Sequence, residues 1–458
     1  MEQDLQPTME SYPDQPHQPH SPSTSAPKTI LGASRPIDLE LREITSSARH
    51  SILEMNSALS LTDNLIIGTR NSKLALVQAE SVERAINERF SSDKIRTEIK
   101  SMSTSGDENL LKPLYLLGGK SVWTKELEFN LLNGSIDLIV HSLKDVPTTL
   151  PAGCELASVM LREDPRDALI IRTGLPFSNL SQLPAGSIIG TSSVRRVAQL
   201  RRRFPNLAFQ DIRGNLQTRF RKLDAPDSPY TGIILAVAGL KRIGLSERIT
   251  SYLEPPDLYH AVGQGAIGIE IRTPPEIKLN ETVEETVLRE RAMTVRKLVK
   301  SLEDWRTAFS CEAERALLRR LEGGCSVPVG VRSSLVDLPM PCPWAPKARL
   351  TLTGVVTSVD GLEEVQKEAW LDVCGPKDAA HLGTALADEL FRDGADKILD
   401  QLNCVKKLDL EEDVANGEQG SANPSRIANL ESQSHFLIAA PANSSRTDVG
   451  SNQDYIVF

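Results

Sequence analysis

Strand-like and helix-like segments alternate along most of this chain, in two consecutive blocks. In the first, the apolar run Leu65–Thr69 precedes Lys73–Arg89, where Ala75, Ala79, Val82 and Ile86 recur at helical spacing. Ile95–Lys100 alternates, Lys125–Asn133 has a helical pattern, and Ile136–Val140 is a run of buried-strand type. The second block repeats the order with Ser187–Gly190, a helix over Val194–Arg203, Ala208–Ile212, a helix near Gln217–Leu223, and Gly232–Ala236. Alternation of this kind predicts an α/β fold built on parallel sheets. Two blocks, about 63–162 and 163–260, predict two lobes with a cleft between them.

A third unit begins near residue 305. Arg349–Val356 alternates like a strand with one buried face, and Lys377–Arg392 reads as a helix that stops near Gly394. The segment 273–304 is highly charged and helical in pattern, and is expected to be a surface insertion, with 283–304 its charged part. Residues 1–60 are rich in Pro, Ser, Gln and His and cannot supply a core, so a disordered extension is expected there. From about 408 the chain turns acidic and then rich in Asn, Ser and Gly, a second expected tail.

Bulk properties narrow the partners. At 458 residues, 40% hydrophobic and 25% charged, the chain has the composition of a soluble globular protein of two or three domains. It contains no run approaching the roughly 20 apolar residues of a membrane span. The start MEQDLQP has no apolar core of a secretory signal and is too acidic for a mitochondrial presequence. Six scattered cysteines, at 154, 311, 325, 342, 374 and 404, show no metal-ligand spacing and no disulfide framework. A cytoplasmic protein without a metal, acting away from membranes, is the expectation.

One stretch departs from the net charge of -9: Arg195 to Lys222 holds eight arginines and one lysine against a single acid, Asp211. Guanidinium grips carboxylate or phosphate with two parallel hydrogen bonds, so a local anionic partner is expected. Within GTSSVRR (190–196), Thr191 and Ser193 precede a helix whose first turn carries Arg195 and Arg196, where cations oppose the helix dipole. DIRGN (211–215) puts Arg213 at a strand end, with Arg219 one turn further on. Arg201, Arg202 and Arg203 close a helix and are expected to face water. Nucleic acid is a poor fit, because the basic residues are confined to one segment, aromatics are only 4%, and no nucleic-acid-binding signature appears.

Two further segments carry candidate chemistry. HSLKDVP (141–147) follows a strand, and strand C-termini line the crevice of α/β sheets, so Ser142, Lys144 and Asp145 would point there. A capped turn, with Asp145 bonding nearby amides, is the alternative. EGGCSVP (322–328) sets Cys325 in a glycine turn, either as an attachment point or as a small buried hydrophobe. Two lobes around a cleft also fit an anion-binding protein without catalysis.

These segments together resemble the porphobilinogen deaminase (hydroxymethylbilane synthase) family. The matching pieces are IGTRNSKLAL (67–76), GGK and TKELE (118–128), VHSLKDVPT (140–148), REDPRDAL (162–169), GTSSVRR (190–196), IRGNLQTR (212–219), AVAGLKRIGL (236–245), AVGQGAIGIE (261–270) and LEGGCSVPVG (321–330). They run in the family's order and span about 63–400. The resemblance implies two lobes of the type 2 periplasmic-binding-protein kind around a cleft, plus a small C-terminal α/β domain. Domain 1 would cover 61–162, completed by about 262–282, domain 2 would cover 163–261, and domain 3 would cover 305–407, leaving a tail at 408–458.

It also implies a transferase of tetrapyrrole and haem biosynthesis, working as a monomer. A dipyrromethane cofactor would be joined by a thioether to Cys325 and would prime the head-to-tail condensation of four porphobilinogen molecules with loss of ammonia. Asp145 matches the catalytic carboxylate. Ser142, Lys144, Ser193, Arg195, Arg196 and Arg219 match positions that hold the cofactor. Arg70, Ser72, Lys120, Thr191, Arg213 and Arg242 match positions that hold substrate. Leu116 and Trp123 depart from the family's pattern in the loop around 110–123.

Overall fold

In the computed structural model the described residues are 64–90, 95–103, 124–278, 280–321, 327–339, 347–401 and the strand 456–457. Cys325, Lys120, Leu116, Trp123 and both expected tails, apart from that strand, lie outside them.

The first lobe opens with β1 (Leu65–Arg70) and α1 (Lys73–Arg89). Ser72 caps α1 by accepting the Ala75 N–H at 3.3 Å, satisfying one of the donors a helix start leaves unpaired. The helix buries Ala79, Val82 and Ile86, three of the four spaced residues that predicted it, and leaves Ala75 half-buried. β2 (Thr97–Met102), α2 (Lys125–Leu132), β3 (Leu138–Ser142) and β4 (Cys154–Val159) follow. The second lobe holds β5 (Asp167–Ile171), β6 (Ile188–Gly190), α3 (Val194–Arg203), β7 (Ala208–Gln210), α4 (Leu216–Leu223), β8 (Gly232–Ala236), α5 (Val237–Arg242) and β9 (Ser251–Leu253). The chain then returns to the first lobe as β10 (Ile267–Arg272).

The two sheets share one plan. Their strand orders are β2-β1-β3-β10-β4 and β7-β6-β8-β5-β9. In each, three strands run parallel, and a fourth lies antiparallel between the third and the edge strand. That antiparallel strand, β10 or β5, is the one with which the chain arrives from the other lobe. The expectation of parallel sheets is corrected here: both are mixed, because each lobe borrows a strand entering from the opposite direction. Otherwise the architecture is the expected pair of type 2 periplasmic-binding-protein-like lobes, joined by crossings at 160–166 and 254–266.

The charged segment after β10 is not a surface insertion. It forms α6 (Val283–Lys300), which starts in a capping box between Thr282 and Glu285. Most of its charges are exposed or half-buried, Arg289 being buried against Glu281, while Val295, Leu298 and Val299 join Leu65, Ile67, Val82, Leu138 and Ile269 in the core of the first lobe. Arg291 and Asp137 pair at 2.6 Å and tie the helix to the turn before β3.

The third domain consists of α7 (Trp305–Arg320), the antiparallel strands β11 (Val329–Asp337), β12 (Ala348–Thr357) and β13 (Glu364–Val373), and α8 (Pro376–Arg392). The short β14 (Ile456–Val457) adds to the β13 edge in parallel. Ala313 and Leu317 of α7 and Leu382, Leu386 and Leu390 of α8 cover one sheet face and, with its residues, form the largest apolar cluster among the described residues.

Candidate active site

The first lobe builds its part of the site at the C-terminal end of β3. Immediately after Ser142 the chain makes a single 3₁₀ turn, Leu143–Asp145, closed by the Val146 N–H on the Leu143 carbonyl at 3.1 Å. The turn therefore closes on backbone groups, and Asp145 is not spent in capping it. Leu143 and Val146 are buried and hold the turn down. Asp145 opens instead into a cavity of about 70 Å³, together with Arg70 from the end of β1, Ser72 and Gln78 from α1, and Ser142. Ser142 Oγ and the Gln78 amide exchange hydrogen bonds at 2.9 and 3.0 Å, which orients both. Four of the residues predicted from the sequence thus line one small cavity.

Lys144 points away from that cavity, toward the crossing between the lobes, where its Nζ donates to Gln264 Oε1 at 3.4 Å. Burial pushes its ammonium down to about 8, and Arg195 and Arg196 push the same way against the pull of Asp145 and Asp167.

The second lobe supplies the arginines. Thr191 is buried and accepts the Ser193 N–H at 3.3 Å. Ser193 caps α3 through the Arg196 N–H at 3.5 Å. Arg195 and Arg196 are 5% and 6% exposed. They close on a protein carboxylate, Asp167, which accepts from Arg195 Nη2 at 2.8 Å and from Arg196 Nη2 at 2.7 Å. The anion that a cationic first turn demands is therefore supplied from within. Sequence reasoning passed over Asp167 because it sits inside an otherwise apolar strand, yet a buried carboxylate there requires cationic partners. Burial alone would raise its carboxyl, but the two guanidiniums override this and hold it well below the usual carboxylate range. Gln264 Nε2 donates to the same carboxylate at 3.0 Å, so Gln264 links Lys144 to Asp167.

Arg219 donates from Nε to the Gly214 carbonyl at 2.9 Å, and burial followed by Arg196 pushes it down to about 10. Arg213 pairs with Asp211 at 2.6 Å at the surface. Arg242 reaches the Gly265 carbonyl at 2.6 Å. Gly265 has φ +91°, and a Cβ there would lie 2.2 Å from the Glu163 carbonyl, so only glycine lets the two lobe crossings touch.

Arg201–Arg203 do not simply face water. Arg202 donates to the Gly361 and Leu362 carbonyls at 3.2 and 2.8 Å, and Arg203 pairs with Glu364 at 3.3 Å. The end of α3 thereby grips the turn between β12 and β13. Gly361, at φ +80°, brings its Cα close enough that a Cβ would lie 2.9 Å from Arg202 N. The helix end attracts basic residues by its dipole, and here they also accommodate the third domain.

Among the described residues no group of three His, Cys, Asp or Glu side chains is placed to hold a metal ion, and no helix is long and apolar enough to cross a membrane.

Two family models match the chain: "Porphobilinogen deaminase, dipyromethane cofactor binding domain" over residues 65–279, and "Porphobilinogen deaminase, C-terminal domain" over 308–392. A porphobilinogen deaminase of Candida albicans is 42% identical over 364 residues, covering 78% of this chain and 97% of that protein. One from Kluyveromyces lactis is 48% identical over 344 residues, covering 74% and 97%. One from Gloeobacter violaceus is 46% identical over 344 residues, covering 75% and 94%. Among solved structures, a periplasmic aliphatic sulphonate binding protein of Escherichia coli is similar at TM-score 0.30 and 12% identity, covering 57% of this chain and 75% of that one.

Proposed function

The chain belongs to the porphobilinogen deaminase family, and from that membership we infer its reaction: it is a transferase that condenses four porphobilinogen molecules head to tail on a dipyrromethane primer, with loss of ammonia, and releases hydroxymethylbilane for tetrapyrrole and haem synthesis. The remaining assignments are our proposal. One observation carries them: Arg195 and Arg196 are buried on Asp167, half-buried Lys144 and Arg219 lie near enough to feel both Arg196 and Asp145, and burial and Arg196 hold the Lys144 and Arg219 cations down. A buried site richer in cations than in anions favours a polycarboxylate ligand.

A dipyrromethane, with acetate and propionate arms, fits that donor set. Lys144, Ser142, Ser193, Arg195, Arg196 and Arg219 would hold it, and Cys325, outside the described residues, would carry it through a thioether. When bound it supplies a pyrrole with a free, nucleophilic α-carbon. Arg70, Ser72, Thr191, Arg213, Arg242 and Lys120 are assigned to the incoming substrate.

Loss of ammonia from porphobilinogen leaves an azafulvenium cation. We assign its stabilisation to Asp145, in support of which its carboxylate lines the first-lobe cavity, next to a turn whose backbone is already satisfied. The same carboxylate can accept the proton shed from the attacking pyrrole's α-carbon as that ring regains aromaticity. Buried Arg195 and Arg196, fixed by Asp167, give the cleft wall a positive field that does not reorganise as negative arms arrive. We assign the protein to the cytoplasm as a monomer, with no nucleic-acid or membrane partner.

Intact mass is the test. The purified protein should exceed its sequence mass by two linked pyrrole units, and Cys325→Ser should lack that excess. Asp145→Asn should keep the excess while turning over about 10² to 10⁴ times more slowly. A parent protein without the excess overturns the cofactor assignment, and near-normal turnover in Asp145→Asn removes Asp145 from the chemistry.

A further inference from the structure

Behind Asp145 lies a second acid–base pair. His141, on β3, lines the same cavity as Asp145. Its Nε2 lies 3.0 Å from Oε2 of Glu270 on β10, and the two side chains are 5% and 0% exposed. β10 is the strand that enters from the other lobe, so the pair exists only where the crossing chain meets β3. Among the described residues Nδ1 of His141 carries no hydrogen bond. An imidazole with one nitrogen fixed by a buried carboxylate and the other open beside a reacting group is the arrangement that moves protons in acid–base sites.

The surroundings favour this use. Glu128, on α2, packs against the pair, and burial raises its carboxyl above the usual range. Cys154, on β4, has its thiol pushed up to about 12 by burial and then by Glu270, so it adds no charge. Arg315, on α7, senses Glu270 but spends its donors on the Val146 and Pro147 carbonyls. Arg70 and Asp145 are the remaining charged groups of the cavity. Among the described residues His141 is the one imidazole that lines the cavity.

Each condensation leaves a proton to be disposed of. The C–N bond of the aminomethyl group breaks and its electron pair leaves with ammonia. A pyrrole α-carbon then gives an electron pair to the new C–C bond and sheds its hydrogen as a proton. If that proton stays on Asp145, the carboxylate needed by the next azafulvenium cation is lost. We propose that His141 is a positioning and proton-relay residue for Asp145: it takes the proton from Asp145 through the shared cavity, as an imidazolium stabilised by Glu270, and returns it to solvent or to the departing ammonia, restoring the carboxylate before the next unit. This rests on Asp145 being the reacting carboxylate, which Asp145→Asn tests separately.

The experiment compares holoenzymes of the parent, His141→Gln and Glu270→Gln, each first shown by intact mass to carry the primer. His141→Gln is expected to lower kcat about 10-fold or more with KM within about 3-fold, to lose the acidic limb of the kcat–pH profile, and to accumulate partly extended species in the intact mass spectrum. Glu270→Gln, which keeps volume and a hydrogen bond to the ring, is expected to move that limb to lower pH, because an amide supports imidazolium less than a carboxylate does. A merely structural role lowers the profile without changing its shape. Parallel profiles in whichever variants carry the primer overturn the proposal. If His141→Gln fails to assemble, Glu270→Gln alone decides it.

Discussion

Asp167→Asn isolates the buried carboxylate on which the cationic wall depends. The substitution keeps the shape of the side chain and removes one negative charge from a position 1% exposed. Arg195 and Arg196, themselves 5% and 6% exposed, exchange the carboxylate they hold at 2.8 and 2.7 Å for an uncharged amide with a single accepting oxygen. Two guanidiniums then remain buried side by side without that counter-charge, with the amide oxygen and the Tyr259 and Ile234 carbonyls, the latter at 2.5 and 2.7 Å, left to accept from them. Breaking a buried ion pair from one side costs about 3–5 kcal/mol, a sizeable share of the roughly 5–15 kcal/mol that holds a domain folded. Chemical denaturation of parent and variant at pH 7 should show a loss of that size. The pH dependence has a definite sign. The folded carboxyl ionises well below its unfolded value of about 3.9, so its contribution is complete above that value and fades as pH falls toward the depressed folded one. The gap between parent and variant should therefore stay constant from about pH 5 to 8 and close in acid. A gap under about 1 kcal/mol at pH 7, or one that widens in acid, would refute the view that Asp167 is the counter-charge of the arginine pair.

Two further outcomes follow from other parts of the site. Because the Lys144 ammonium is pushed down to about 8, kcat/KM should fall on the alkaline side of that pH as the anchor loses its charge; Lys144→Arg should flatten this limb, and an unchanged limb would remove Lys144 from anion binding. Leu298→Ala in α6, which deletes a side chain 4% exposed in the first-lobe core, should cost about 2–5 kcal/mol in chemical denaturation, whereas a loss under about 1 kcal/mol would return that helix to the surface.

Much of this was legible because local periodicity carries it. α1 and α3 occupy the residues predicted for them, and β3 ends two residues into HSLKDVP. Arg70, Ser72, Ser142 and Asp145, far apart in sequence, converge because each lies at the end of a strand or the start of a helix in one sheet. What periodicity could not supply was the identity of long-range partners. No local signal shows that β10 inserts beside β3, so the mixed sheets and the His141–Glu270 pair were invisible. α6 reads as solvated because only a narrow stripe of its 18 residues is apolar and turned inward. Arg201–Arg203 were misread for the same reason: a basic helix end looks alike whether water or the β12–β13 turn lies against it. Asp167 could have been found by asking what neutralises an acid at the head of the apolar run DALII.

Both passages of the chain between the lobes are fastened to one carboxylate of α7. Glu314 accepts from Arg162 at 2.7 and 3.0 Å on the outward passage and from the Gly263 N–H at 2.8 Å on the return. It is fully buried, and although burial alone would raise its carboxyl, Arg162 and its neighbours bring it down to about 2, so it stays charged at any physiological pH. A rotation of one lobe against the other that preserves these bonds must have its axis close to Glu314. The helix runs on from Glu314 to Arg320, about 9 Å further along its axis at 1.5 Å per residue. Helix α7 of the third domain is thus a shared mount for both crossings rather than a part of either lobe, so the lobes can change their opening without displacing it.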